Sequence, residues 1–327
     1  MVSAELVLAG LAATFMASYA SLHLALGVPA VIQDDERLTI RVNTFRRNDL
    51  LQGFLEYYTH TKRAKECALI EEITVIWSDT DSAPPADWET LYGPRPVLSE
   101  EEQEQAQKKA AETGATAVRY TTSPDGPRVR FEIHPKNSLN NRFLPLQPPP
   151  TEAVLSLDDD LIVPCSELAR SLRVWSSFPR ALVGYSPRMH ALDSVSGDTR
   201  YLRWQHTWWS GLYSIVLTKG ALLHRDHLAA FKRMVPASFL EHVDAVRNCE
   251  DLALAHVVAQ QTQAPPVWVS GIVYEVSAQN VGGISSGGSH FDTRSQCLSE
   301  LRTALGDFPW EVGRQKAQPL ALADMWW

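Results

Sequence analysis

The sequence predicts an α/β fold, an open sheet flanked by helices, preceded by an N-terminal membrane-span helix. Three observations carry this. A strand, an amphipathic helix and a second strand follow one another in "RLTIRVNTFRRNDLLQGFLEYY" and "EEITVIWSDT", the opening of a parallel sheet. An apolar run in "TEAVLSLDDDLIVPC" ends in Asp158, Asp159 and Asp160. A long stretch before all of this carries no charge. With 45% apolar and 21% charged residues in 327, the chain is globular and long enough to bury a large core.

From Leu6 to Ile32 there is no Asp, Glu, Lys or Arg. A helix of that length, rising 1.5 Å per residue, crosses the hydrocarbon core of a bilayer. Residues 1–36 are therefore expected to be a signal-anchor span and stem; a cleaved signal peptide and a buried soluble helix are the rival readings. The flanking "DDER" leaves orientation open. A net charge of −8 argues against nucleic-acid partners, which require basic patches.

Residues 37–312 are expected to form the catalytic-type domain, with 37–160 as one half, 161–312 as the other and 313–327 as a tail. Leu38 to Val42 reads as the first strand, and Asn48 or Asp49 caps the helix after it. Ile73 to Trp77 reads as the second strand. "LSEEEQEQAQKKAAETGA" has Ser99 and Glu102 in capping-box spacing but no apolar face, so 98–115 reads as a solvated insertion. "RVRFEIHP" and "EAVLSL" supply two further strands around the loop "KNSLNNRFLPLQPPP".

Carboxylates at a strand end fit the rule that open α/β sheets bind ligands beyond the carboxyl ends of their strands. Oxygen-only donors suit Mg²⁺ or Mn²⁺; a solvated turn explains the same residues without a ligand. Two enzyme classes place Asp-x-Asp at such a strand end, phosphoryl-transfer enzymes with an aspartyl nucleophile and nucleotide-sugar transferases. The former use the motif to open the domain, which this chain does not do. Glu250 and Asp251 in "NCEDLALAHVVA" open a helix, where acids also compensate the helix dipole. Tyr201, Trp204, Trp208 and Trp209 cluster before a strand; they suit either core packing or a shelf for sugar rings. The four cysteines, Cys67, Cys165, Cys249 and Cys297, show no zinc spacing.

"EAVLSLDDDLIVPCSEL", "FPRALVGYSPRMH", "YSIVLTKGALLH", "NCEDLALAHVVA" and "HFDTRSQCL", in that order between about Leu38 and Phe308, resemble the exostosin-like glycosyltransferase domain, glycosyltransferase family 64. The resemblance implies a GT-A fold, which is a Rossmann-like mixed sheet flanked by helices. It also implies a retaining mechanism, Mn²⁺ as cofactor, a nucleotide-sugar donor, a glycan or glycolipid acceptor, and a lumenal domain anchored type II in the Golgi or endoplasmic-reticulum membrane. Carried over residue by residue, it places Thr44, Phe45 and Arg47 on the family's T-Y-x-R, with Arg47 near the nucleotide. Asn137 and Arg142 fall on its Asn and Arg before the metal motif. Asp158 and Asp159 are then donor-binding, Asp160 binds the metal, and Asp251 with Arg294 is catalytic. His290, Trp208 and Trp209 are acceptor candidates. Ser78 stands where relatives commonly carry Asn, which leaves UDP against GDP open.

Cys249 and Cys297 correspond to the family's disulfide, leaving Cys67 and Cys165 as expected buried thiols. The leading donor is a UDP-N-acetylhexosamine; the alternatives are a GDP-mannose-dependent transferase acting on inositol-phosphoryl-ceramide lipids and a catalytically silent sugar-binding protein.

Overall fold

Strand β1 (Leu38–Thr44) lies inside the main sheet, because both of its faces are covered. Leu38, Ile40 and Val42 are fully buried in one apolar cluster, and Thr39 and Arg41 are buried on the other side. The computed structural model describes residues 36–59, 67–88, 92, 126–192, 198–276 and 290–318. The charge-free run Leu6–Ile32 and the insertion 98–115 lie outside them.

Helix α1 (Asn48–Thr59) follows β1 and packs Leu51, Phe54, Leu55 and Tyr58 onto the sheet. It leads to β2 (Ile70–Trp77), and beyond the insertion come β3 (Arg128–Ile133), a 3-10 helix (Leu139–Phe143) and β4 (Ala153–Asp158). The two-residue β5 (Leu161–Ile162) and helix α2 (Cys165–Ser177) come next. The second half runs through β6 (Val183–Gly184), β7 (Pro187–Leu192), β8 (Thr199–Leu202), α3 (Trp204–Ser210), β9 (Ile215–Val216) and β10 (Gly220–His224). It continues with α4 (Arg225–Met234), α5 (Ala237–Val246), α6 (Glu250–Thr262), β11 (Val267–Val269), β12 (Tyr274–Glu275), α7 (His290–Leu305) and β13 (Lys316–Ala317).

The main sheet has eight strands in the order β13-β11-β6-β10-β4-β1-β2-β3. β3, β2, β1 and β4 are mutually parallel, and β10 runs antiparallel between β4 and β6. The chain grows from β1 outward through β2 to β3 on one side and reaches β4 on the other. The crevice beyond the carboxyl ends of β1 and β4 is therefore the topological switch point, where open α/β sheets receive ligands. Period-two alternation divides the core between the two faces. Leu155, Leu157 and Leu222 join the cluster under α1 and α2, while Val154, Ala221 and Leu223 join the cluster under α4 and α6.

Two expectations are corrected. No helix among the described residues is long and apolar enough to cross a membrane, which overturns the fold class with a membrane-span helix. The most buried helix, α6, has 13 residues, about 20 Å against the ~30 Å of a bilayer core. Cys67 and Cys165 are not thiols but a disulfide with Cα atoms 5.1 Å apart. The sheet brings Cys67, three residues before β2, against the first residue of α2, a proximity across 98 positions that sequence spacing does not show. The Cys249–Cys297 disulfide is present, as the family resemblance implies.

Candidate active site

The switch-point crevice is built from the end of β1, the 3-10 helix, the turn after β4 and the first turn of α6. Its three consecutive carboxylates are held by two arginines and a threonine hydroxyl. Asp158 pairs with the Arg142 guanidinium. Asp159 accepts from the Thr44 hydroxyl at 2.8 Å and pairs with Arg47, whose Nη1 also donates to Asp160 at 3.0 Å. Repulsion along "DDD" is thus offset by two arginines brought from 16 and 113 residues away. Arg46, at a φ of 54°, turns the chain out of β1 and bonds Asp79 at 3.2 Å. The backbone of Val276 donates to the Asp160 carbonyl at 2.8 Å, pinning the outer side of the turn.

Burial gives these groups unusual proton affinities. It pushes the Asp159 carboxyl up to about 7 against the opposing charge of Arg47, and it raises Asp158 despite Arg142. Burial works against the Arg142 cation, but Asp158, Glu250 and Asp251 more than offset it and raise its pKa.

The opposite wall is the start of α6. Cys249, at a φ of 82°, ends the preceding turn, and Glu250 and Asp251 enter the helix buried. Arg294, from α7, donates from Nη2 to both oxygens of Asp251 at 2.9 and 2.8 Å and from Nη1 to Asn248 Oδ1 at 3.0 Å. Its guanidinium lies 4.5 Å above the Tyr201 ring. The neighbouring Cys249–Cys297 disulfide joins the two helices that carry this pair. Glu250, pushed up to about 7 by burial and by Asp251, sits 3.9 Å from Arg142. A line of charged groups, Asp158, Arg142, the Glu250–Asp251 acid pair and Arg294, therefore runs from one wall to the other. Arg142 and Arg294 are buried, and among the described residues the Nε–H of each has no hydrogen-bond acceptor.

The sequence-derived residues thus fall into groups. Arg47, Arg142, Asp158, Asp159 and Asp160 meet at the turn; Asp251, Arg294, Cys249 and Cys297 form the other wall. Ser78 accepts from Asn141 Nδ2 at 3.0 Å at the end of β2. Asn137 contributes its carbonyl, accepting from Arg247 at 3.2 Å. Trp208 and Trp209 stand exposed on α3, and His290 opens α7. Sequence reading gave no role to Asn141, Asn248 or Tyr201 as neighbours of these groups. The doubled Asn in "NSLNNRF" and the Asn before "CED" were the available signals.

Among the described residues no three His, Cys, Asp or Glu side chains are grouped to hold a metal. The Asp159 side chain is fully buried and engaged, whereas Asp158 and Asp160 keep 26% and 17% exposure. One or two accessible carboxylates are what a hard divalent ion uses when phosphate oxygens complete its shell. The residues fit such a shared ion and do not form a preformed cage.

Acids and arginines thus face each other at the switch point of an open α/β sheet, where such folds receive ligands. The chain belongs to glycosyl transferase family 64, whose domain model matches residues 38–321, and it is a glycosyltransferase of the exostosin-like kind. Glycosylinositol phosphorylceramide mannosyl transferase 1 of Arabidopsis thaliana is 33% identical over 282 residues, covering 85% of this chain and 75% of that protein. The exostosin-like-3 homolog of Caenorhabditis elegans is 27% identical over 285 residues, 87% of this chain and 29% of its own. Human exostosin-2 is 32% identical over 207 residues, 61% of this chain and 28% of its own. The chain thus spans three quarters of the plant relative but under a third of the two animal ones.

Proposed function

We propose that this glycosyltransferase transfers a hexosyl or N-acetylhexosaminyl group from a nucleotide sugar to a glycan or glycolipid, with retention of configuration. The observation that carries this reading is the charge line from Asp158 to Arg294. It ends in the Asp251 carboxylate, both of whose oxygens accept from Arg294 Nη2, and it includes two buried guanidinium N–H groups that among the described residues have no acceptor. Such donors suit an anionic diphosphate, because planar guanidinium groups bind phosphate oxygens well. Asp251, held by Arg294, would stabilise positive character at the transferring carbon or orient the acceptor hydroxyl.

Asp160, assisted by Asp158, would hold Mn²⁺ or a similar ion, which when bound would neutralise charge on the leaving diphosphate. Ser78, joined to Asn141 at the end of β2, would help to read the base. The two disulfides support residence in an oxidising lumen such as the Golgi or endoplasmic reticulum.

Between donors, the sequence reading favours a UDP-N-acetylhexosamine. A second reading, GDP-mannose transferred to an inositol-phosphoryl-ceramide-type lipid, is favoured by the match to the plant mannosyl transferase, which covers most of both chains. Incubation with Mn²⁺ and each of UDP-N-acetylglucosamine, UDP-N-acetylgalactosamine and GDP-mannose, with hydrolysis and transfer followed by mass spectrometry, distinguishes them. One donor should be consumed well above the rest. Binding of a donor without hydrolysis or transfer would favour a silent sugar-binding protein instead.

A further inference from the structure

We infer that α3 is a membrane-interface contact, a tryptophan-bearing helix that rests in the headgroup zone of a bilayer beside the catalytic pair. Six of the seven residues of Trp204–Ser210 are exposed, and only Thr207 is buried. Trp204, Trp208 and Trp209 are 53%, 63% and 80% exposed. Single exposed apolar residues are ordinary, but three tryptophans on two helical turns form a patch that water does not favour. Trp208 and Trp209 pack edge to face at 5.0 Å, one against the other rather than into the core. A seven-residue helix is too short to be stable by itself. Gly211, at a φ of 66°, ends it.

The chemistry of the surround selects the partner. Tryptophan combines a large apolar ring with one N–H donor, and it concentrates where hydrocarbon meets water. Arg200, Arg203 and His206 are exposed within or next to the helix, and Asp198 is the one acid between residues 198 and 212. A chain with a net charge of −8 thus presents a locally basic aromatic face. Basic and aromatic together match an anionic lipid surface.

The position also fits. Arg203 lies 4.1 Å above the Phe291 ring, Phe291 stacks on Tyr201, and Tyr201 lies under Arg294. The helix is therefore continuous with the wall that holds Asp251. This deepens the proposed function and rests on its glycolipid acceptor, whose lipid part would remain in the bilayer while its headgroup reaches Asp251.

The test uses the full chain with an environment-sensitive fluorophore on Ser210→Cys, and separately on Gln52→Cys of α1, which packs with the other core cluster. Vesicles of phosphatidylcholine and phosphatidylserine with brominated acyl chains are the probe. The inference expects quenching at position 210 several-fold stronger than at 52, and loss of that excess when Trp208→Ala and Trp209→Ala are combined. Equal quenching at both positions, or quenching that survives the double substitution, would overturn it. So would a double variant that binds vesicles normally but loses turnover on a soluble acceptor, which would make the tryptophans a sugar shelf. Vesicle contact needs no donor, so donor hydrolysis measured without vesicles shows separately whether the glycosyltransferase reading stands.

Discussion

Asp251 is the residue on which mechanism and structure diverge most clearly in what they expect. As a first-turn acid and ion pair it would contribute to stability and nothing to turnover. As the group facing the transferring carbon, its charge is needed only when positive character develops. Asp251→Asn keeps the shape that Arg294 grips. It is expected to lower kcat by about 10²-fold or more with donor affinity nearly unchanged, the pattern of an interaction made in the transition state. Wild-type turnover in that variant would return Asp251 to a structural role. Asp160→Asn should act on the other side of the kinetics. It removes one accessible carboxylate while Asp159 keeps its bonds to Thr44 and Arg47, so the fold should persist and Mn²⁺-dependent donor binding should fall. Titration calorimetry with an unchanged donor affinity would rule out Asp160 as a metal ligand. These acids were legible in the sequence because each follows a strand or opens a helix. The Asp251–Arg294 pair was not legible from local pattern, since 43 residues separate its members and only the packing of α7 on β8 and α6 brings them together.

At the level of elements, β4 and the second half of β2 could be read as the apolar runs of strands covered on both faces, and β1, LTIRVNT, by period-two alternation even though its Thr39 and Arg41 are buried too. β6, β11 and β13, at two or three residues each, are too short to show a period. Gly184 in β6 shows what local sequence cannot: a Cβ there would meet the Gly220 carbonyl oxygen at 2.5 Å, so the close approach of β10 requires glycine. The disulfides separate stability from catalysis. Chain entropy gives about 4 kcal/mol for each as an upper expectation. The 98-residue separation exceeds the 48-residue one by a factor that adds only about 0.6 kcal/mol. Removing either by paired Cys→Ala substitution should therefore lower Tm by a similar amount. Activity should differ. Loss of Cys249–Cys297 frees the helix bearing Asp251 from the one bearing Arg294, whereas loss of Cys67–Cys165 leaves both in place. Turnover below the melting range is expected to fall much further in the first variant; equal losses would remove the clamp from the mechanism.

Across the whole molecule, buried titratable groups oppose one another as pH falls, and the sign of each contribution decides what a measurement would show. His256 lies fully buried in α6 against Phe308 and Trp310. Burial pushes its imidazole down to about 4, only partly offset by the backbone of Leu305. The unfolded chain takes up this proton near pH 6.5 and the folded chain does not until about 4. Stability from a neutral buried His256 is therefore complete above about 6.5 and declines through that window, by roughly 3 kcal/mol in all. Glu250 acts in the opposite direction. Burial raises it to about 7, so its contribution is present below its unfolded value near 4.3 and is lost as pH rises through 7. Glu132 enters only at lower pH. Burial raises it, but hydrogen bonds from His134 and Arg41 outweigh that and hold it at about 2, so its contribution declines from about pH 4.3 downward. A direct pH profile mixes these terms, and the difference between wild type and His256→Leu isolates one of them. Urea unfolding of both proteins at steps from pH 7 to pH 4 should show wild type losing about 3 kcal/mol relative to the variant. Whatever constant offset the leucine introduces by repacking against Trp310 cancels in the slope. Parallel profiles across that range would mean that His256 accepts its proton equally well folded and unfolded, and the acid sensitivity of the fold would then have to lie elsewhere, with His227 and His190, both lowered by burial, the next to replace.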